Sequence, residues 1–476
     1  MAVTRRNAIR GTGLHQTASR DGDDEDALST PASGSATLQP VATLETRDAV
    51  SIIVGIVIGS SIFTLPSLVA RGASEPGVVL GLWLLGGVLS VIGGLCYAEL
   101  ATTYPSVGGD YVFLQRAYGR SLAFLYGWAR MTVITTGSIA FLAFTFGDYM
   151  TRVAPLGAHS SSVYAMACIV LLTLLNVAGI QHGKTAQNLF TSLEVLSVVA
   201  IIVVGLFVVT PAVPAPAAAP APTDFVPSLG LAMVFVLYAY GGWNEAAYVS
   251  AEIKQPRSMV AAIVVSLVAV TALYLLVNLA YIRGLSLRGM AESNALAADL
   301  LERSFGSAGR IGVSTMIALS ALTSANATMI VGARSNFALG RDFPVFSWLG
   351  RWDRDKGTPT TGLIVQCLVS GALVALGTAT RQGLQTMVDY TAPVFWFFFL
   401  LVGIGIFVMR RREPARPRPF EVPFYPVTPL VFCAMCAYLL YASLSYAKIG
   451  AIAGVAVVVL GLVPLAWSTR GRRLRA

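Results

Sequence analysis

The chain has 476 residues, of which 55% are hydrophobic and only 12% are charged. The charged share is about half that of a soluble globular domain, and the mean hydropathy is +0.70. A soluble core cannot hold this much apolar surface, whereas twelve membrane spans of about 20 residues would use most of it. The composition therefore excludes a soluble enzyme, a disordered scaffold and an extracellular disulfide module, and it predicts an all-α polytopic membrane protein.

The first 46 residues differ in composition from everything that follows. They are polar and rich in Ser, Thr, Arg and Asp, with an acidic run from Asp21 to Asp26. Because no apolar stretch of 7–15 residues follows the early arginines, we expect no cleavable signal peptide. We predict a disordered cytoplasmic tail over residues 1–46, a transmembrane domain over 47–468 and a basic cytoplasmic C terminus over 469–476.

Apolar runs separated by short polar breaks fill the transmembrane domain. We predict twelve membrane spans, at residues 48–70, 77–100, 122–147, 162–180, 188–210, 228–250, 260–282, 307–332, 360–379, 386–409, 426–446 and 449–468. With the N terminus inside, 24 Lys and Arg residues fall in inside segments and 8 in outside segments. This bias predicts that both termini lie in the cytoplasm.

Five cysteines and three histidines leave little material for a metal site or a histidine-based catalytic centre. The cysteines lie in or beside apolar spans, and none has metal-ligand spacing with a histidine. A small buried hydrophobe is the favoured interpretation of each cysteine. The sequence therefore predicts no cofactor, no metal site and no nucleic-acid partner.

Two predicted spans contain interruptions that a simple membrane anchor does not need. The first contains Gly55-Ile56-Val57-Ile58-Gly59-Ser60-Ser61-Ile62-Phe63, and the sixth contains Tyr238-Ala239-Tyr240-Gly241-Gly242-Trp243-Asn244-Glu245. The Gly-x-x-x-Gly spacing in the first span is, by itself, more typical of helix packing. Paired interruptions in corresponding halves are instead the expected sign of an inverted-repeat transporter with a binding site at the membrane midplane.

The interruptions predict a binding site made of main-chain atoms. An unwound helix in the membrane exposes N–H and C=O groups that lipid cannot satisfy, so a polar ligand or water must satisfy them. The half-helix that begins near Ser60 and Ser61 presents free N–H groups and a positive dipole end, which suit a carboxylate. Carbonyl groups near residues 56–57 and 238–239 have the opposite polarity and suit an ammonium group. Together they predict recognition of an α-amino acid zwitterion.

The side chain of that substrate is expected to contact Tyr238, Tyr240, Trp243 and Asn244. The complete predicted binding set is Ile56, Val57, Gly59, Ser60, Ser61, Ile62, Tyr238, Ala239, Tyr240, Gly241, Gly242, Trp243 and Asn244.

Two acidic residues within the spans are candidates for coupling transport to an ion. Glu194 lies in the fifth span, where apolar surroundings make ionisation costly, and it could carry a proton or a sodium ion. An equally weighted alternative is a structural acid, either protonated or paired with Arg130. Glu245 lies just beyond the glycine pair and could do similar work, although packing into a hydrated vestibule is favoured for it.

These segments resemble the amino acid–polyamine–organocation superfamily, most closely its L-type and bacterial broad-range amino acid permeases. The similar segments are VIGSSIF at 57–63, YAYGGWNEAAYVSAEIKQPR at 238–257, YAELATTYPSVGGDYVFLQRAYG at 97–119, SALTSANATMIVGARSNFALGRD at 320–342 and RRREPARPRPFEVPFYP at 410–426. The segments occur in order, and the resemblance covers nearly all of the chain from about residue 45.

The resemblance implies a LeuT-like five-plus-five inverted repeat with broken helices 1 and 6. Repeat one would cover about 48–210, repeat two about 228–409, and two peripheral helices would lie in 426–468. Tyr238 matches the aromatic lid position of the family. Two departures concern the site: Ser61 replaces a second glycine of the family motif, and Glu194 stands where many relatives carry a lysine.

The function that the resemblance implies is secondary active transport of amino acids across the plasma membrane, coupled to protons or by exchange. A polyamine or other organic-amine transporter of the same fold is the alternative, and a channel or membrane-embedded enzyme is a remote one. Partners would be an amino acid, membrane lipid and an H⁺ or Na⁺ co-substrate. No covalent heavy chain is expected, because residues 148–162 contain no cysteine.

Overall fold

The apolar runs of the sequence form helices in a computed structural model of the chain. The structure describes residues 50, 53–54, 57–106, 108–179, 184–212, 229–252, 256–353, 358–445 and 449–473. The predicted N-terminal tail and Ile56 lie outside the described residues.

The helices of the first half include two short π-helical turns, at Arg130–Ile134 and Val204–Val208. In chain order the α-helices are α1 (Leu65–Arg71), α2 (Pro76–Thr103), α3 (Asp110–Tyr118), α4 (Arg120–Ala129), α5 (Thr135–Val153), α6 (Ser160–Val177) and α7 (Lys184–Val203). The first π turn joins α4 to α5, so together they form one long membrane helix.

The second half contains the longest helices of the chain's described part. They are α8 (Leu229–Ala239), α9 (Pro256–Glu292), α10 (Leu296–Asp342), α11 (Thr360–Ala379), α12 (Gly383–Arg412), α13 (Val427–Ser445), α14 (Ile449–Leu460) and α15 (Leu462–Arg473). Non-helical backbone at Ser286 and Gly306 bends α9 and α10. The chain therefore continues as helix beyond the predicted spans 260–282 and 307–332.

Nine helices in the described part of the chain are long and apolar enough to cross a membrane. Large apolar side chains such as Leu174 and Leu368 are exposed on these helices, as expected where lipid is the solvent. The predicted all-α polytopic class is confirmed. The remaining three predicted spans, 48–70, 188–210 and 228–250, are interrupted or only partly described, so the count of twelve stays a prediction.

A buried ion pair fixes the loop that follows α12. Glu99, near the end of α2, accepts hydrogen bonds from Nε (2.8 Å) and Nη2 (2.6 Å) of Arg410. The same carboxylate accepts the N–H of Val422 at 2.7 Å. This bidentate geometry is the strong form of an arginine–carboxylate pair, and it ties the 413–426 loop to α2.

Candidate functional site

The first membrane segment is interrupted between residues 58 and 64. The N–H of Ile58 still donates to Val54 O at 2.8 Å, but Gly59 is extended (φ −84°, ψ 176°). A 3₁₀ turn at Ser60–Phe63 follows, and α1 begins at Leu65. The first N–H groups of a helical turn have no acceptor inside that turn, so those of Ser60 and Ser61 are available to a ligand.

The second interruption follows α8. Helical hydrogen bonding ends where Tyr240 N–H donates to Val236 O, and Gly242 then takes a φ of +112°. Only glycine adopts this conformation readily, which explains the glycine pair of the sequence. The chain resumes as a 3₁₀ helix at Trp243–Glu252. Both predicted interruptions are therefore present, and neither stretch is continuous α-helix.

The two interruptions meet around the hydroxyl of Tyr274, which comes from α9. This hydroxyl lies 2.7 Å from Val57 O and 3.2 Å from Ala239 O, and its single proton can be donated to one of them at a time. Ser61 Oγ also lies 3.5 Å from Ala239 O. Val57 O also accepts the N–H of Gly59 at 2.7 Å. Because a carbonyl oxygen has two lone pairs, whichever of Val57 O and Ala239 O does not receive the Tyr274 proton keeps accepting capacity for a further donor.

Sequence reasoning missed this tyrosine, since a tyrosine in an apolar span resembles any core aromatic. It also missed Tyr149 in α5, whose hydroxyl donates to Phe63 O at 2.8 Å. Both side chains are buried. The only signal in the sequence is a hydroxyl-bearing aromatic at the depth of the interruptions.

The predicted side chains occupy different surroundings. Val57, Ser60 and Ile62 are buried beside the first interruption, and Ser60 Oγ has no hydrogen-bond partner among the described residues. Tyr238 is half-buried, and its ring lies 5.4 Å from that of Phe141. The unpaired hydroxyl of Ser60 thus lies close to the exposed main chain, whereas the hydroxyl of Tyr238 faces Ser138 and Thr391.

Two of the predicted side chains pack elsewhere. Tyr240 donates to Trp83 O at 2.9 Å. Trp243 is buried in ring contact with Tyr97, Phe399 and Phe432. Both aromatic side chains therefore take part in helix packing, and their contact with the substrate stays a prediction. Of the remaining predicted residues, Asn244 is buried, and Gly241 donates its N–H to Tyr238 O at 3.0 Å.

Glu194 is buried in α7, with 5% of its surface exposed. Its Oε1 has no hydrogen-bond partner among the described residues. The carboxyl group faces Ser320 of α10 and lies within electrostatic range of Tyr274. Arg130 pairs with Glu245 instead, at 3.6 Å. The suggested Arg130–Glu194 pair is therefore wrong, and an arginine in the π turn holds the acid of the second interruption.

The Arg130–Glu245 ion pair belongs to a larger polar network. Arg130 Nη1 lies 3.5 Å from the hydroxyl of Tyr126, which donates to Asp110 Oδ2 at 3.0 Å. Asp110 lies in α3, outside the membrane helices, and is buried. Burial, together with the negative charge of Glu245, raises the pKa of Asp110 to about 6, against hydrogen bonds from Tyr97 and Tyr126 that lower it.

A cavity of about 1200 Å³ opens on the other side of the interruptions. Its walls come from α1, the last turns of α5, the start of α6, part of α10 and the turn between α11 and α12. It extends inward to Thr64 and Phe144, and Thr64 directly follows the 3₁₀ turn of the first interruption. A solute can therefore approach the exposed main chain from this side. No cluster of His, Cys, Asp and Glu suited to a metal occurs among the described residues.

Known proteins are similar to this chain over most of its length. Residues 44–465 match the family described as amino acid permease. The chain is 29% identical to Asc-type amino acid transporter 1 of Mus musculus over 424 residues, which cover 87% of this chain and 78% of the relative. It is 29% identical to b(0,+)-type amino acid transporter 1 of Homo sapiens over 408 residues, covering 83% and 80%. It is 30% identical to Large neutral amino acids transporter small subunit 2 of Mus musculus over 424 residues, covering 87% and 78%.

Proposed function

The chain belongs to the amino acid permease family, and we propose that it is a secondary active transporter that carries amino acids across the plasma membrane by alternating access. The observation that carries this proposal is the meeting of two interrupted helices around Tyr274 at the inner end of an open cavity. The family and the named relatives are transporters and not enzymes. Transport of an organic amine is the less supported alternative, because the N–H groups of the first interruption would then lack an anionic partner.

In the proposed complex the substrate carboxylate accepts hydrogen bonds from the N–H groups of Ser60 and Ser61. The substrate ammonium donates to whichever of Val57 O and Ala239 O does not receive the Tyr274 proton, because that oxygen keeps a free lone pair. Charge-assisted hydrogen bonds of this kind are stronger than neutral ones. Tyr238 is the side chain best placed to contact the bound amino acid, since it is half-buried next to the second interruption.

In this proposal, alternating access starts from a state in which the site is open on one side of the interruptions and closed on the other. The cavity leaves one side of the interruptions open, while the Trp243 packing cluster and the Arg130–Glu245 pair fill the other side. The Lys and Arg bias of the loops supports cytoplasmic termini, which makes the open side extracellular. Release to the cytoplasm would then require the Arg130–Glu245 pair to separate.

We assign ion coupling to Glu194. Its carboxyl group has an unpartnered oxygen and lies among apolar helices, where an uncompensated negative charge is costly. Binding a proton or a sodium ion removes that cost, and we expect this binding to be most favourable when the substrate site is filled. Its neighbour Tyr274 contacts both interruptions. A change of charge at Glu194 would therefore change the electrostatic potential at the groups that hold the substrate.

The test is uptake of labelled amino acids into proteoliposomes, with and without pH or sodium gradients. We expect uptake of at least one amino acid, a rise in uptake when the source side is acidified, and loss of that response in Glu194→Gln. Glu75→Gln is the matched control, because Glu75 is exposed at the start of α2 and makes no side-chain capping bond. Uptake that responds to neither gradient in the wild type, or a response unchanged in Glu194→Gln, would contradict the coupling role.

Absence of a covalent heavy chain is part of the proposal. The segment between α5 and α6 contains no cysteine. We expect the chain to migrate at its own mass in a non-reducing gel of the expressing membranes. A larger species that collapses on reduction would contradict this.

A further inference from the structure

Arginine is concentrated around the cavity that leads to the first interruption. Of the eight basic residues in the predicted outside segments, four line this cavity, namely Arg71, Arg152, Arg310 and Arg381. The acidic residue among its lining residues is Asp148. Loops on the outer side of membrane proteins are usually poor in arginine, so this local excess calls for a physical role.

Two of the four arginines face the cavity without a compensating carboxylate. Nε of Arg71 donates to the main-chain oxygen of Ala291 at 2.8 Å, which leaves its positive charge uncompensated. Arg381 is exposed, and its one hydrogen bond to another described residue is that of its main-chain N–H to Thr378 O at 3.1 Å. The other two are paired: Arg152 with Asp299 at 3.3 Å and Arg310 with Glu302 at 3.6 Å.

The backbone of Arg381 shows that the fold does not require this side chain. Its φ of +56° lies in the left-handed region, which residues other than glycine rarely adopt. The residue forms the turn between α11 and α12, where a glycine would fit with less strain. An arginine kept in an unfavourable conformation, exposed at a cavity wall and unpaired, is better explained by its charge than by packing.

We propose that this arginine-lined vestibule selects entering solutes by charge, admitting zwitterionic and anionic amino acids and repelling cationic ones. A cleft with low-dielectric walls focuses the field of the charges that line it and changes the local concentration of charged solutes. The guanidinium groups of Arg71 and Arg381, which form no ion pair among the described residues, also match the carboxylate of an approaching amino acid. The inference rests on the proposed transport function and adds a substrate class to it.

The test compares uptake of glutamine, glutamate and lysine by intact cells that express the full chain, so that solute enters from the vestibule side. Arg381→Gln removes the charge, and Arg381→Glu reverses it. We expect the ratio of lysine to glutamine uptake to rise roughly twofold in the first variant and roughly fourfold in the second, as for one charge acting over about 10 Å through mostly aqueous surroundings. Added salt should weaken both effects.

Arg283→Gln is the control, since Arg283 is an exposed arginine on the same side that does not line the cavity. It should leave the ratio unchanged. A lysine-to-glutamine ratio unaltered in both Arg381 variants, or a wild type that takes up lysine as readily as glutamine, would overturn charge selection while leaving amino acid transport intact. Failure to transport any of the three, or any other amino acid, would instead count against the proposed function.

Discussion

At the scale of single residues, the site depends on Tyr274, which contacts a main-chain oxygen from each interruption. Replacement by phenylalanine keeps the ring beside Trp83 and Tyr240 but removes the only donor on the side chain. We expect Tyr274→Phe to lower the free energy of unfolding by about 0.5–1.5 kcal/mol, the net contribution of one hydrogen bond, because Val57 O and Ala239 O each keep another donor. We also expect weaker substrate affinity.

Thermal unfolding in detergent and the KM for uptake measure the two effects of Tyr274→Phe. Tyr441→Phe is the matched control, because the Tyr441 side chain is exposed on α13. If the two variants had the same stability and the same KM, Tyr274 would not hold the interruptions together.

The raised pKa of Asp110 gives a second prediction at this scale. The pKa of an unfolded aspartate is about 3.9, and burial in the folded protein raises it to about 6. The folded state therefore binds more protons than the unfolded state between these values, so stability falls as pH rises through this window. Above pH 6 the ionised carboxylate should cost about 3 kcal/mol relative to the protonated form.

Asp110→Asn should remove this contribution, because an amide oxygen can still accept from Tyr126 and carries no charge. We expect the melting temperature of the wild type to decrease between pH 5 and pH 7.5 by more than that of the variant, measured in the same detergent. Equal pH dependence in the two proteins would show that Asp110 does not titrate in this range.

At the scale of elements, α14 lies directly against the backbone of α12. A Cβ added to Gly454 would lie 2.1 Å from Tyr390 O, and one added to Gly450 would lie 2.8 Å from Thr386 O. Small residues four apart allow such close approach of membrane helices. The segment predicted to be peripheral is thus in contact with a helix of the predicted second repeat.

Gly454→Ala should therefore destabilise the protein by about 1–3 kcal/mol through overpacking. Gly81→Ala in α2 is the control, since nothing lies within 4 Å of its added Cβ, and alanine favours helix over glycine by about 1 kcal/mol. The measurement is a comparison of the unfolding temperatures of the two variants and the wild type. A Gly454→Ala protein as stable as Gly81→Ala would mean that α14 can move away at no cost.

The elements also show how far the sequence predicts this fold. The two interruptions were predictable, because glycine and hydroxyl residues inside apolar runs conflict with a continuous membrane helix. The bends at Ser286 and Gly306 were not, because the residues around them are compatible with either helix or loop. The π turn at Arg130–Ile134 likewise has no local signature, and its effect, the placement of Arg130 against Glu245, depends on tertiary packing.

At the scale of the whole molecule, the site joins segments that are far apart in the chain. The first interruption, the second interruption and α9 contribute Val57, Ala239 and Tyr274 to one point. Local patterns predicted the first two, because each lies in a stretch with its own unusual composition. The contribution of α9 and the packing roles of Tyr240 and Trp243 depend on which helix faces which, and a single sequence does not contain that information.

The central claim is that main-chain atoms of two interrupted helices bind both charged groups of an amino acid. The most direct measurement is equilibrium binding to the purified protein of three ligands that share one side chain: a transported amino acid, its amide and its decarboxylated amine. Each analogue loses charge-assisted hydrogen bonds worth about 1.5–3 kcal/mol apiece. The account predicts saturable binding of the amino acid and at least roughly tenfold weaker binding of both analogues. Equal affinity for the amine or the amide would contradict it.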